Sequence, residues 1–239
     1  MATKVVFFGG IGTLLETSEL QRKAFNDAFV ANGLDWHWGR EEYRNMLANP
    51  GGTQRILDYA KTFSDAGVDE TLASRLHSDK TAHFHAAIKG GDLQAREGVN
   101  ELIEKCLTAG TALGFATTTD ELTARGVLDA IGIDVKTFQI ITHRDLVEAV
   151  KPHPAAYLYC LARLGISSDE AIAIEDSESG LEAATRAGVP CLVTPGVNTL
   201  DQDYEGALAV SANLAKAQTS LSLLSELDLA DTNAAVSTR

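Results

Sequence analysis

The 239-residue sequence predicts an α/β fold, a doubly wound parallel sheet with a helical bundle inserted after its first strand. Three observations carry that expectation. Residues 4–8 (Lys-Val-Val-Phe-Phe) are β-branched and aromatic without alternation, as in a strand covered on both faces. The next seventy or so residues, about 17–89, carry helical periodicity with no strand signal. Beyond Gly91, helix and strand patterns alternate strictly.

Each element has a local reason. Gly9 and Gly10 end the first strand. Ser18-Glu19-Leu20-Gln21 matches a capping box, with Leu20, Ala24, Phe25, Ala28 and Phe29 following at helical spacing and Asn32-Gly33 closing the helix. Helical stretches follow near 40–48, 53–63 and 70–88; Gly51-Gly52 interrupts them and Gly90-Gly91 ends the run. Then come a helix over Gly98–Ala109, a strand over Thr111–Ala116, a helix over Asp120–Ile131 and a strand over Phe138–Thr142. Pro154–Leu164 reads as helix, Ala171–Ile174 as strand, Gly180–Ala187 as helix and Cys191–Val193 as strand. A last helical patch spans Leu214–Leu227, before a polar tail over Asp231–Arg239. The expected division is a core of residues 1–16 plus 90–239 and a helical cap over 17–89, hinged near Thr13–Thr17 and Lys89–Asp92.

The net charge of −13 argues against nucleic acid or an anionic membrane as partner, since both need a basic footprint. A local pocket for a small anion is compatible with it. Cys106, Cys160 and Cys191 are odd in number and lie in apolar surroundings, so they read as reduced core residues. With no signal pattern and no apolar run of about 18–20 residues, the expectation is a cytoplasmic protein, and a monomer. His83 and His85 lie two apart on one helix and face different ways, and Trp36-His37-Trp38 reads as packing.

In doubly wound sheets ligands gather outside the carboxyl ends of the strands. Here those ends carry Gly9–Thr13, Thr117-Thr118-Thr119, the Lys151 region and Glu175-Asp176. Gly10-Ile11-Gly12 does not extend to a dinucleotide-binding loop, because Leu15 occupies its last glycine position. On the residues alone, the threonines also read as helix-capping hydroxyls and Lys151 as a surface lysine. Two adjacent acids at a buried strand end need a partner, which Lys151 could supply.

Thr117 after a strand, Lys151 in Val150-Lys151-Pro152, and Glu175-Asp176-Ser177 before Gly180 resemble the haloacid dehalogenase (HAD) superfamily over about residues 4–210. Glu16–Leu20, Ala24-Phe25-Asn26, Gly51-Gly52 with Arg55-Ile56, and Ala116–Thr119 are similar to its capped CbbY and beta-phosphoglucomutase group of phosphatases and phosphomutases. The resemblance implies a HAD-like core under a helical-bundle cap. It further implies Thr117, with Thr118 beside it, and Lys151 as phosphate contacts, and Glu175 and Asp176 as ligands of Mg²⁺.

In that family the first strand ends Asp-x-Asp-Gly-Thr, the first Asp being the nucleophile and the second the acid/base. Here Gly9 and Ile11 stand at those positions, while Gly12 and Thr13 match. Glycine offers no atom to attack phosphorus, and isoleucine moves no proton. Mg²⁺ binding should therefore be weakened, with Lys151 free to pair with Asp176. In the cap, Gln21 replaces a common histidine and Thr53 a lysine, leaving Glu16, Gln21, Arg55 and Lys80 as candidate substrate contacts. The leading expectation is a phosphatase-like protein impaired in aspartyl-phosphate chemistry that still binds a sugar phosphate. The alternatives are an active Mg²⁺-dependent hydrolase using Glu16, or a water held by Glu175 and Asp176, as nucleophile, and a regulatory protein on the same scaffold.

Overall fold

The computed structural model describes residues 3–47, 51–62, 67–91 and 93–216. Among them, six parallel strands form one sheet in the order β3-β2-β1-β4-β5-β6. They are β1 (Val5–Phe8), β2 (Ala112–Ala116), β3 (Ile140–Thr142), β4 (Ala171–Glu175), β5 (Cys191–Val193) and β6 (Ala209–Val210). All four residues of β1 are buried, as the unalternating apolar run requires. Val6 and Phe8 pack with Phe115, Ile174 and Leu192 on one face, and Val5 and Phe7 with Ala173, Cys191 and Val193 on the other.

The register sets the site. Phe8 lies beside Phe115 and Ile174, so the three central strands end level with one another. Strand order reverses at β1, which puts the switch point between β1 and β4 and gathers Gly9 and Glu175 there. Helices α6 (Val99–Ala109), α7 (Glu121–Ala130), α8 (Ala155–Leu164) and α9 (Glu178–Arg186) supply the crossovers.

A single helical turn, α1 (Ile11–Leu14), leads from β1 into α2 (Ser18–Ala31), α3 (Arg40–Met46), α4 (Gly52–Thr62) and α5 (Glu70–Gly90). These four helices share an aromatic core of Phe25, Phe29, Trp36, Trp38, Tyr43 and Tyr59. The Phe25 and Trp38 rings lie 4.6 Å apart. Asn26 holds this centre from inside: Trp38 N–H donates to Asn26 Oδ1 at 2.8 Å, and Asn26 Nδ2 donates to Trp38 O at 3.1 Å. The far end of α5 leaves this core, since Phe84 and Ile88 join the cluster against the sheet. Trp36 and Trp38 thus serve packing, as expected.

Several local expectations are corrected. Thr17, not Ser18, caps α2, and it makes no side-chain cap bond; Glu16 accepts the Ser18 N–H instead, at 2.9 Å. The turn α1 and the short edge strand β6 carried no sequence signal, because four and two residues are too short for periodicity. β3 starts at Ile140 rather than Phe138, which packs into the core after a turn of 3₁₀-helix. The helical patch over Leu214–Leu227 lies outside the described residues from 217 onward, as does the tail over Asp231–Arg239.

Candidate functional site

The backbone at Gly9 and Gly180 opens a slot, and the Glu175 side chain fills it. A Cβ on either glycine would overlap the Glu175 carboxylate, and one on Gly9 would also strike Tyr157 Oη. Glu175 is 1% exposed, so its charge depends on partners inside the protein. Tyr157 Oη donates to Glu175 Oε1 at 2.5 Å, and Lys151 Nζ donates to the same oxygen. Lys151 also donates to Gly9 O at 2.5 Å and stands 4.9 Å from the Tyr157 ring centre. Burial, followed by the charge of Glu175, pushes the Tyr157 hydroxyl well above the ordinary tyrosine range. The expected Lys151–Asp176 pair is therefore replaced by Lys151–Glu175, because a glycine at position 9 leaves room for the longer acid to fold inward.

Asp176 lies on the cleft side of this pair. Its carboxylate rests against Gly12, where a Cβ would overlap it, and it accepts the Thr13 hydroxyl at 3.3 Å. Burial, then repulsion from Glu175, lifts its pKa to about 6, against the pull of Arg96 and Lys151. The folded chain therefore holds this proton longer than the unfolded chain between about pH 4 and pH 6, and stability falls as pH rises through that window. Asp176→Asn is expected to raise unfolding free energy by about 1–3 kcal/mol at pH 7, and by less than about 1 kcal/mol at pH 4. Urea titrations at the two pH values check this; an equal gain at both would refute the assignment.

Arg96 knits the rim together. Its guanidinium donates to Gly12 O at 2.7 Å, Thr194 O at 2.9 Å and Pro195 O at 2.8 Å, tying the return from α5 to the ends of β1 and β5. Glu16 accepts amides on both oxygens, from Ser18 and from Val197, each at 2.9 Å. Burial raises its pKa, but these hydrogen bonds and Arg96 outweigh that and hold it below the usual carboxylate range.

Across the cleft, Lys80 Nζ on α5 donates to Gln21 Oε1 on α2 and lies over the rings of Phe25 and Phe84. Burial brings Lys80 down to about 8, with Arg55 adding to the effect. His77, one turn earlier, is lowered to about 4 by burial and then by Lys80. Arg55 Nε donates to Met46 O at 3.1 Å, with its guanidinium 5.8 Å from the Tyr43 ring centre.

Of the residues the sequence nominates, Ile11, Glu16, Gln21, Arg55, Lys80 and Asp176 border one cleft of about 430 Å³. Thr118 and Lys151 border an adjoining one, which shares Gln21 and Lys80 with it. Gly9, Thr117 and Glu175 border neither. Thr117 is 3% exposed, and its hydroxyl accepts the Thr119 N–H at 3.2 Å. Tyr157 and Arg96 escaped sequence reasoning. Tyr157 reads as one more apolar position of α8, and Arg96 as a lone charge in a connection. Among the described residues, no group of three or more His, Cys, Asp or Glu side chains is placed to hold a metal ion.

The profile described as haloacid dehalogenase-like hydrolase matches residues 12–194. Protein CbbY of Cereibacter sphaeroides is 36% identical over 208 residues, covering 85% of this chain and 89% of that protein. Among solved structures, CbbY from Rhodobacter sphaeroides in complex with phosphate aligns with a TM-score of 0.80 at 34% identity, covering 89% of this chain and 95% of that one. A mutant of that CbbY in complex with xylulose-(1,5)bisphosphate aligns equally well, with a TM-score of 0.80, 34% identity and the same coverage of 89% and 95%.

Proposed function

The chain belongs to the haloacid dehalogenase-like hydrolase family, on its CbbY branch, and from that premise we propose that it binds a phosphorylated small sugar without performing aspartyl-phosphate chemistry. One observation carries this reading. The space above Gly9, where a nucleophilic side chain would emerge, is filled by the Glu175 carboxylate. That carboxylate is hydrogen-bonded to Tyr157 and Lys151 and lies under the cleft floor, in no position to attack a ligand. Ile11 borders the cleft but offers no proton.

The residues present do not suit a divalent ion. Glu175 is turned into the slot and neutralised by Lys151, which leaves Asp176, the acceptor of the Thr13 hydroxyl, as the one of these two acids that borders the cleft. Hard cations need several ionised or carbonyl oxygens converging on one point. Glu16 cannot take the nucleophile's place cheaply, since both its oxygens are engaged by backbone amides.

Binding rests on two cations on the helical wall of the cleft, which face Glu16, Asp176, Glu178 and Glu182 on the core side. Lys80 and Arg55 approach from the helical side, while Lys151 shares its charge with Glu175. Residues 17–89 act as a cap over the core of residues 1–16 and 90–239, and Arg44 on α3 pairs with Asp201 in a core loop. A cytoplasmic monomer is the setting we favour. Within the described residues no helix is long and apolar enough to cross a membrane, and the three cysteines are buried and free.

The test is phosphate release from a panel of sugar phosphates with and without Mg²⁺, run beside thermal-shift titrations with the same compounds. The native chain is expected to release no phosphate, and a sugar phosphate to raise its Tm. Mg²⁺-dependent turnover by the native chain would overturn the loss of chemistry. Absence of any Tm shift across the panel would overturn the binding.

A further inference from the structure

We propose that Lys80 is an amine nucleophile that captures the carbonyl group of a small phosphorylated aldehyde or ketone as a reversible imine. Only the phosphate on that ligand rests on the function proposed above; the capture rests on the surroundings of Lys80. Its Nζ lies 5.0 Å from the Phe25 ring centre and 4.9 Å from that of Phe84. The residue is 7% exposed, its hydrogen-bond acceptor is the neutral amide of Gln21, and among the described residues it makes no ion pair. It nevertheless borders both adjoining clefts, so a ligand in either meets this amine.

A lysine buried for stability is normally paired with a carboxylate. This one is instead caged by rings and an amide, surroundings that solvate an ammonium less well than water does. A desolvated lysine beside another cation is the arrangement that makes an amine nucleophilic. Here burial and Arg55 outweigh the opposing pull of Asp120. With its pKa near 8, about a tenth of the side chain is neutral at pH 7, against roughly one part in three thousand for an ordinary lysine. His77 and Arg55 border the same cleft. His77 is uncharged at pH 7 and so adds no competing cation, and Arg55 favours an anionic ligand.

The step balances with no further reagent. The Nζ lone pair attacks the carbonyl carbon, the C–O π electrons move to oxygen, and a proton passes from nitrogen to that oxygen to give the carbinolamine. The nitrogen lone pair then closes the C=N bond as the C–O bond breaks, and the departing hydroxide takes the remaining N–H proton to leave as water, giving the imine; water reverses both stages.

The experiment incubates the whole native protein with dihydroxyacetone phosphate and sodium cyanoborohydride, which reduces the imine to a stable amine, and locates the adduct by peptide mass spectrometry. Lys80 is expected to be labelled at least tenfold faster than the exposed Lys4 and Lys23, with half-maximal rate near pH 8. Lys80→Arg should keep the charge and lose the adduct. Absence of an adduct on Lys80, or labelling no faster than Lys4 and Lys23, overturns the proposal, and needs no variant to be read. Dihydroxyacetone is run in parallel. Equal labelling of Lys80 by this unphosphorylated ketone supports the amine capture and refutes the phosphate preference.

Discussion

Lys151→Met is expected to cost about 3–5 kcal/mol of folding stability, and Lys151→Met/Glu175→Gln to restore most of it. The reason is the position of Glu175. It is 1% exposed, inside a slot lined by the backbone of Gly9 and Gly180, and Lys151 is its cationic partner. Removing the cation leaves a buried carboxylate with Tyr157 as its hydrogen-bond donor. Attraction lost and desolvation kept is the costly combination for a buried pair. Glutamine has the shape of the acid without the charge, so the second substitution removes the penalty's source and keeps an acceptor for Tyr157. Urea unfolding of the native chain and both variants supplies the comparison. If the single substitution costs under about 1 kcal/mol, Glu175 lies in water or has another partner, and the closed slot is wrong.

Gly9→Asp is expected to cost about 2–4 kcal/mol, even though it installs the aspartate that the family resemblance implies for this position. Its Cβ would overlap both the Glu175 carboxylate and Tyr157 Oη. The end of Glu175 can rotate away, but Tyr157 is fully buried on α8 and cannot follow. The new carboxylate also competes with Glu175 and Asp176 for Lys151. Gly9→Asp/Glu175→Ala is therefore expected to recover part of the loss, whereas an addition of Tyr157→Phe relieves the remaining contact. Thermal melts of the series decide this. An unchanged Tm in Gly9→Asp would mean that Glu175 swings out at little cost, and that one substitution re-creates the nucleophile position. For the same reason, any attempt to restore turnover through Gly9→Asp/Ile11→Asp must be read beside the stability of that variant.

The strand ends that surround the cleft were legible, although Thr117 and Glu175 lie beneath it rather than on its wall. Thr117 follows β2 directly and Glu175-Asp176 closes β4, whereas Lys151 lies in the connection well past the end of β3 at Thr142. The strands β1, β2 and β4 end level because their apolar runs are in register. Gln21 and Lys80, named separately as candidate substrate contacts, meet each other 59 positions apart in sequence, a pairing the sequence did not indicate. Which acid takes Lys151 was not legible, because Glu175 and Asp176 are neighbours with one charge each. Only the depth of the slot over Gly9 separates them. Tyr157 was hidden for a related reason, since its helix position is apolar and its relevance lies in where one hydroxyl ends. Arg96 makes three bonds to carbonyls, which are groups every residue carries and no sequence pattern marks.

The sequence by itself determined the parallel sheet, the helical insertion after β1 and the absence of carboxylates at residues 9 and 11, because periodicity and residue type are local properties. Tertiary structure alone decided what fills the space those carboxylates would occupy. A glycine states only that a side chain is missing; whether water, a ligand or a neighbouring side chain takes the room depends on packing among β1, β4, α8 and α9. Here Glu175 takes it, since a buried acid is held most favourably where a lysine and a tyrosine hydroxyl already converge.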